Sequence, residues 1–485
     1  MISLPTHRAT LTLLLAFVSL SVHATSRAAP TVRSLRASSQ QLQWLREANI
    51  NLQKFIGQPA DEKLVDGVLK KFVRHCETSG YPFARAQLDS VYIDSLRFDA
   101  ALMLSKGSYI AIDSLVLKSD GRVRASFLRN HLGLRRPRPY SEEYVEGLEQ
   151  RINELGFVGC TQPPAVEFRQ HTAKIYAYVD GRKANRANAL VAFGTDENGD
   201  FQLSGEASLF VANMFKGGEE LGIDWCSPQK KAQLLHAHAS VPYLILGTVG
   251  VKAQLDMERR DTLYMSIGGQ LGLSARVSAG GELTLFAEWQ QHNGASRASS
   301  SGITLGGAEL RLRRTDSPLF PRRGYDARMA AAVGSRKLDG ASATLAELGL
   351  DAWQYVPIGS RISLAVRLTG GAKPLLSAAP PLLQSEQYTI GGAGILRGFA
   401  ERSVYASSYA MATVEPRYFV GAQGYLHAFY DVAACDRDWL HGFGIGAKLA
   451  AAAGIFSISV ALGGKVGGRI APANAKVHVG YVAVF

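Results

Sequence analysis

Cysteine is scarce in this chain of 485 residues, and its arrangement excludes two chemistries. Cys76, Cys160, Cys226 and Cys435 stand alone, with no CxxC pair and no Cys/His cluster at ligand spacing, so neither a zinc ribbon nor a dithiol redox centre is written here. A disulfide between two of them stays open in an oxidising compartment. Long apolar runs are also missing. No stretch reaches the about 18 residues that a membrane-crossing helix needs. Disorder is excluded from the other side, because hydrophobic residues make up 47% of the chain and charged ones only 19%. The sequence has no Gly-x-Ser-x-Gly elbow, His-Glu-x-x-His pair or phosphate-binding loop, so no enzymatic activity is expected. The net charge of +12 is spread along the chain, not gathered into a run with interleaved aromatics, which argues against nucleic acid as a partner.

Several features point to a strand-rich wall. There are 49 glycines, above the usual share of about 7%, together with 18 tyrosines and 20 phenylalanines. Mean hydropathy is −0.00. A β-barrel that alternates lipid-facing and lumen-facing side chains reaches a bilayer with that average. Residues 1–24 carry Arg8, an apolar run from Leu11 to Val22 and a small-x-small end at Val22-His23-Ala24, the layout of a secretory signal. The mature chain is therefore expected to leave the cytoplasm.

From residue 30 to 182 helical and strand periods mix. Leu64, Val65, Val68, Leu69 and Phe72 fall on one helical face, and period-two segments follow at Ala86 to Ile93 and Leu96 to Leu104. The layout then repeats. Tyr109 to Lys118 reads as a strand, Ala125 to Leu132 as a short helix and Ser141 to Leu155 as a longer one stopped by Gly156. Ala165 to Gln170 and Lys174 to Val179 read as a strand pair. This β-α-α-β-β order, ending its second helix on Leu155-Gly156-Phe157, resembles a POTRA domain over 107–182. Over 30–106 the resemblance is partial, because no first strand stands out in Thr31 to Ala37.

From 186 to 485 the pattern becomes segments of roughly ten residues with alternating polarity. Arg361, Ser363, Ala365, Arg367 and Thr369 face one side, and Ile362, Leu364, Val366 and Leu368 the other. Persistence over so long a stretch favours a closed barrel in lipid over a soluble sandwich. About sixteen segments can be counted, an even number as single-chain bacterial barrels require. The expected architecture is α+β POTRA-like domains followed by an all-β antiparallel transmembrane barrel of about sixteen strands. The segments Asn188 to Thr195 and Lys476 to Phe485 would meet at its seam.

One connection, 372–406, is far longer than the rest and carries Gly391-Gly392-Ala393-Gly394-Ile395-Leu396-Arg397-Gly398-Phe399, a glycine cluster around apolar residues and one arginine. Such a segment can fold inward. An arginine placed inside a barrel needs acceptors, because an unpaired buried charge is costly. Asp431, in Phe429-Tyr430-Asp431-Val432-Ala433, and Glu415, which shares a face with Arg417, are the candidates.

Leu396-Arg397-Gly398-Phe399 resembles the (V/I/L)RG(F/Y) loop tip of the BamA/TamA superfamily of outer-membrane assembly proteins, of bacterial surface antigen type, and of the related two-partner secretion transporters. The segment from Phe429 to Ala433 is similar to the superfamily's FxDxG strand motif, with alanine at the last position. Asp316-Ser317-Pro318-Leu319-Phe320-Pro321-Arg322-Arg323-Gly324 resembles its PxxG turn, defined here by Asp316, Pro321 and Gly324. The terminal strand, with Val477, Val479, Tyr481, Ala483 and Phe485 on one face, resembles a barrel sorting signal carried by Tyr481 and Phe485.

The resemblance implies an outer-membrane insertion or translocation factor without a cofactor. Its periplasmic POTRA units would bind unfolded client proteins, and its barrel would contact outer-membrane lipids. Periplasmic or lipoprotein accessory factors would be further partners. It also implies that Arg397 locks the loop to Asp431 and Glu415. A passive or substrate-specific channel is the second reading. His236 and His238 alternate with Leu235, Ala237 and Ala239, a spacing a metal could use, but a polar lumen face accounts for it and no metal site is expected.

Overall fold

The computed structural model describes residues 30–94, 96–195, 201–227, 232–278, 280–294, 299–451, 454–470 and 475–484. The signal segment 1–24 lies outside them, as does Phe485. The chain forms two compact units, which divide after Tyr109.

The first unit contains β1 (Thr31–Arg36), α1 (Ser39–Glu47), α2 (Glu62–Glu77), β2 (Arg85–Ile93) and β3 (Arg97–Ser105). Its sheet order is β1-β3-β2, with β1 parallel and β2 antiparallel to β3. Ser38 caps α1 through a box with Gln41, and Asp61 caps α2 by accepting from the Leu64 amide at 2.6 Å. The buried stripe of α2, Val68, Leu69, Phe72 and Cys76, packs on Ala86, Leu102 and Leu104. The strand that sequence alternation misses is β1. Of its residues only Val32 is buried, so six positions leave almost no period-two signal.

The second unit opens with β4 (Ala111–Ser119), α3 (Ala125–His131), β5 (Arg138–Pro139), α4 (Glu142–Glu146), α5 (Leu148–Asn153), β6 (Val158–Phe168) and β7 (Thr172–Gly181), in a sheet of order β5-β4-β7-β6. Both α+β domains have the POTRA-like parallel pairing of first and last strands. The helix expected over Ser141 to Leu155 is instead two short helices meeting at Gly147, a residue that costs about 1 kcal/mol in a helix interior. Tyr144, Leu148 and Ile152 nevertheless keep one buried stripe.

The barrel strands are β8 (Arg186–Thr195), β9 (Phe201–Ala212), β10 (Glu220–Ser227), β11 (Ala232–Ile245), β12 (Val249–Arg260), β13 (Tyr264–Ser278), β14 (Gly281–Gly294) and β15 (Ser301–Thr315). They continue through β16 (Gly324–Leu338), β17 (Ala341–Pro357) and β18 (Ile362–Ala372). A small hairpin, β19 (Tyr388–Ile390) and β20 (Val404–Ala406), lies within the long connection. The wall then resumes with β21 (Ser408–Phe419), β22 (Gly424–Cys435), β23 (Asp438–Ala451), β24 (Gly454–Lys465) and β25 (Lys476–Val484). Without the small hairpin these sixteen strands close into one barrel, each antiparallel to its neighbours. Leu271, Leu273, Leu285 and Ile445 project outward as exposed apolar side chains, a band that fits lipid better than water.

The seam is short. Among the described residues β25 pairs with β8 at Ala483↔Ala187 and Val484↔Arg186 alone, so the ladder expected between Asn188 to Thr195 and β25 is not formed there. The start of β8 meets the end of β25, and the described pairing stops after these two steps, although the same register continued would set Lys476 opposite Gly194.

The second POTRA-like domain is fastened to barrel turns by α3. The Arg124 amide donates to the Lys216 carbonyl at 2.8 Å, and Asn213 Nδ2 donates to the Arg122 carbonyl at 2.7 Å. Phe127 fills the space over Gly218, where a Cβ would come within 2.3 Å of its ring. His131 sits against Tyr243, while Arg276 Nη1 donates to the His131 carbonyl at 3.0 Å. Burial, reinforced by the Arg276 guanidinium, pushes the His131 imidazole down to about 3, so it is neutral at ordinary pH.

Candidate functional site

The inner wall provides one row of residues across four strands. Thr413 on β21 pairs with Asp431 on β22, Asp431 with Gly442 on β23, and Gly442 with Gly463 on β24. Two members of the row carry polar groups, and two leave empty space. The connection after β18 enters from the end opposite the α+β domain and lays its tip on this row.

Arg397 is held there by acceptors at all three of its guanidinium nitrogens. Its Nε donates to Asp431 Oδ2 at 2.9 Å, its Nη2 to Asp431 Oδ1 at 2.8 Å and its Nη1 to Glu415 Oε2 at 2.6 Å. The Arg397 amide also donates to Asp431 Oδ2, at 3.0 Å. Thr413 Oγ1 donates to Asp431 Oδ1 at 2.8 Å, which orients the carboxylate from behind. The Phe429 ring lies 3.5 Å from the guanidinium carbon, so the cation is also stacked. Bidentate pairing of this kind fixes direction as well as energy, which a lysine would not.

The backbone of the tip depends on the glycine half of the row. Gly398 has φ +94°, and a Cβ there would lie 2.5 Å from the Leu462 carbonyl carbon. Leu396 has φ +55° although it is not glycine, a conformation costing about 1–3 kcal/mol. Its burial with Ile390, Met411, Ala433 and Leu440 offsets that cost. Phe399 packs over Gly463.

Glu415 also receives Arg417 Nε at 2.8 Å, and Arg417 Nη1 reaches the Pro321 carbonyl at 3.5 Å. The clamp thereby extends to the Asp316-to-Gly324 turn at the other end of the barrel. In that turn Asp316 Oδ1 accepts from the Arg322 and Arg323 amides at 3.0 and 3.1 Å. Gly324 has φ +114°, and a Cβ there would meet the Arg314 carbonyl oxygen at 1.9 Å. Phe320 enters a buried cluster with Phe419, Tyr425 and Ile455. Pro416, which has no N–H, interrupts the β21–β22 ladder beside Glu415.

Two further attachments of the connection carry no signal in the sequence. Glu386 takes Arg336 Nε and Nη2 at 2.8 Å each and Ser301 Oγ at 2.6 Å, with both ionic partners almost fully buried. Arg336 also donates to the Pro380 and Pro381 carbonyls. Across the lumen, Arg402 Nη2 donates to Glu258 Oε2 at 2.6 Å. At the chain end Tyr481 lies in β25 against Phe456, with ring centroids 4.5 Å apart.

Residues 222–463 match the Omp85 superfamily domain. No curated protein matches the chain. Among solved structures, CdiB from Escherichia coli is 15% identical with a TM-score of 0.59, over 98% of this chain and 93% of its own. CdiB from Acinetobacter baumannii is 12% identical with a TM-score of 0.57, over 97% of this chain and 92% of its own. BamA from Haemophilus ducreyi, lacking POTRA domains 1–3, is 14% identical at TM-score 0.49, over 94% of this chain and 100% of its own. At such identities the likeness to the two CdiB structures is one of fold. With the matched segment lying in a closed barrel of sixteen strands, the chain carries an Omp85 superfamily domain over residues 222–463 and is an outer-membrane protein.

Proposed function

We propose that this protein inserts or secretes unfolded polypeptides at the outer membrane, with its POTRA-like domains on the periplasmic side and the Leu396-Arg397-Gly398-Phe399 tip acting as a lock on the inner wall. The observation that carries this reading is the clamp on Arg397. Four hydrogen bonds commit its guanidinium and amide to Asp431 and Glu415, an investment a passive pore does not need. The connection also meets the wall at Arg336 and Glu258, so it crosses the lumen and obstructs free diffusion.

Clients would be received by strand addition. In the first unit β2 is an edge strand, and Val91, Tyr92 and Ile93 are exposed along it, as suits an extended apolar segment. The two-pair seam between β8 and β25 supports a wall that can part to template or release a client strand.

The test is a photocrosslinking residue at Tyr92 in growing cells. The expected result is capture of unfolded outer-membrane or secreted polypeptides, which accumulate when Arg397 is replaced by alanine. A chain that captures no polypeptide and gives steady large conductance in planar bilayers would be a channel instead.

A further inference from the structure

We propose that the lumen holds a site for a divalent transition-metal ion of the zinc class, built from Asp224, His236 and His238. Asp224 on β10 is registered directly opposite His236 on β11, and His238 follows two residues along the same face. Strand alternation therefore sends all three side chains inward, while Leu221, Ile223 and Trp225 are exposed on the outer face. Each of the three can offer one ligand atom, and those atoms lie within 4.8 Å of one another. Tetrahedral zinc with bonds of about 2.0–2.2 Å needs ligand separations of about 3.3 Å, which small side-chain rotations supply.

Three observations separate this cluster from a merely polar wall. Asp256 Oδ1 lies 2.6 Å from His236 Nδ1, and the other oxygen of that carboxylate, Oδ2, accepts from Gln254 Nε2 at 2.7 Å. A carboxylate at that distance keeps the proton on Nδ1 and leaves the Nε2 lone pair for a metal, the orienting arrangement that ligating histidines use. The Nδ1 of His238 is buried and has no hydrogen-bond partner among the described residues. Space for its ring is also provided. The cross-strand neighbour is Gly222, where a Cβ would come within 2.0 Å of His238 Cε1.

Two imidazoles and one carboxylate suit zinc, copper or nickel and are a poor set for calcium or magnesium. The site is reachable, because His236 and His238 line a cavity of about 1370 Å³ that extends to Glu146 and Gln150 of the α+β domain. Three protein ligands leave a fourth position for water or for a side chain of a passing polypeptide.

The experiment uses the full chain, purified in detergent and stripped of metal, with Zn²⁺ followed by calorimetry and Co²⁺ by its visible absorption. One equivalent should bind. His236→Ala and His238→Ala should each weaken it at least tenfold, Asp256→Asn by about 10–100-fold, and His441→Ala should leave it unchanged. Absence of binding, or binding that survives the double histidine replacement, overturns the proposal. On the unaltered chain, Zn²⁺ should protect His236 and His238 from carbethoxylation, and their equal labelling with and without Zn²⁺ would overturn it without any variant having to fold.

Discussion

Gly442 lies directly beneath the backbone carbonyl of Arg397, where a Cβ would stand 1.8 Å from the oxygen. The wall is thus shaped for the loop at a residue with no functional group of its own. Gly442→Ala should displace the tip although the side chains of Arg397, Asp431 and Glu415 are all still present. Limited proteolysis should then cut within residues 391–399, where the unaltered protein should resist, and both proteins should show the same heat-dependent migration of a folded barrel. An unchanged digestion pattern would mean that the contact does not fix the loop.

Removing Arg397 leaves Asp431 without its guanidinium inside the barrel, and breaking a buried pair from one side costs about 3–5 kcal/mol. Arg397→Ala should therefore lower the unfolding free energy by that amount. Arg397→Lys should recover little, because a point charge cannot take both Asp431 oxygens as the planar fork does. The double variant Arg397→Ala, Asp431→Ala should be less destabilised than Arg397→Ala alone, since Glu415 retains Arg417 at 2.8 Å. Urea unfolding in detergent measures all three, and a double variant no more stable than Arg397→Ala would contradict the coupling.

Much of this architecture is legible before folding. Strand positions follow from alternation, because a wall between lipid and lumen imposes period two on nearly every residue, and the turns between strands are marked by glycine and aspartate. Arg397, Asp431 and Glu415 stand out because a lone arginine between glycines demands partners. Gly442 and Gly463 do not, since glycines are frequent in these strands and nothing local says which of them lie under a loop. Glu386 and Arg336 are fifty positions apart and meet only when the connection folds back, so no spacing rule joins them. The break at Gly147 is similarly hidden, because the stripe of Tyr144, Leu148 and Ile152 continues through it.

The His131 contact makes the junction between the α+β domain and the barrel acid-sensitive. Its imidazole is held neutral in the fold, near 3 against an ordinary 6.5, so the unfolded chain takes up a proton first. The stability from neutral His131 is fully present above pH 6.5 and declines as pH falls toward 3. Hydrogen exchange over residues 125–131 should accelerate between pH 7.5 and 5, and His131→Gln should flatten that dependence. Exchange equally fast at both pH values, after correction for intrinsic rates, would rule out the linkage.

The seam can be tested by covalent closure. Ala187 and Ala483 are directly paired, and antiparallel partners have Cα atoms about 4.5–5.5 Å apart, within disulfide range. Ala187→Cys with Ala483→Cys should form a bridge under oxidising conditions. If clients leave through the wall, the bridge should stop their release and a reductant should restore it. Release that continues through a fully bridged barrel would indicate passage by the lumen alone.

Among the described residues the joint that closes the cylinder is bound by two residue pairs, where the neighbouring joint between β24 and β25 has eight. A hoop carries tension in series, so it yields at its clasp before any stave bends. Each backbone hydrogen bond contributes only about 1 kcal/mol net. Among the described pairings this clasp therefore has fewer bonds to break than the joint beside it, and it is the place where an opening of the circle would cost least.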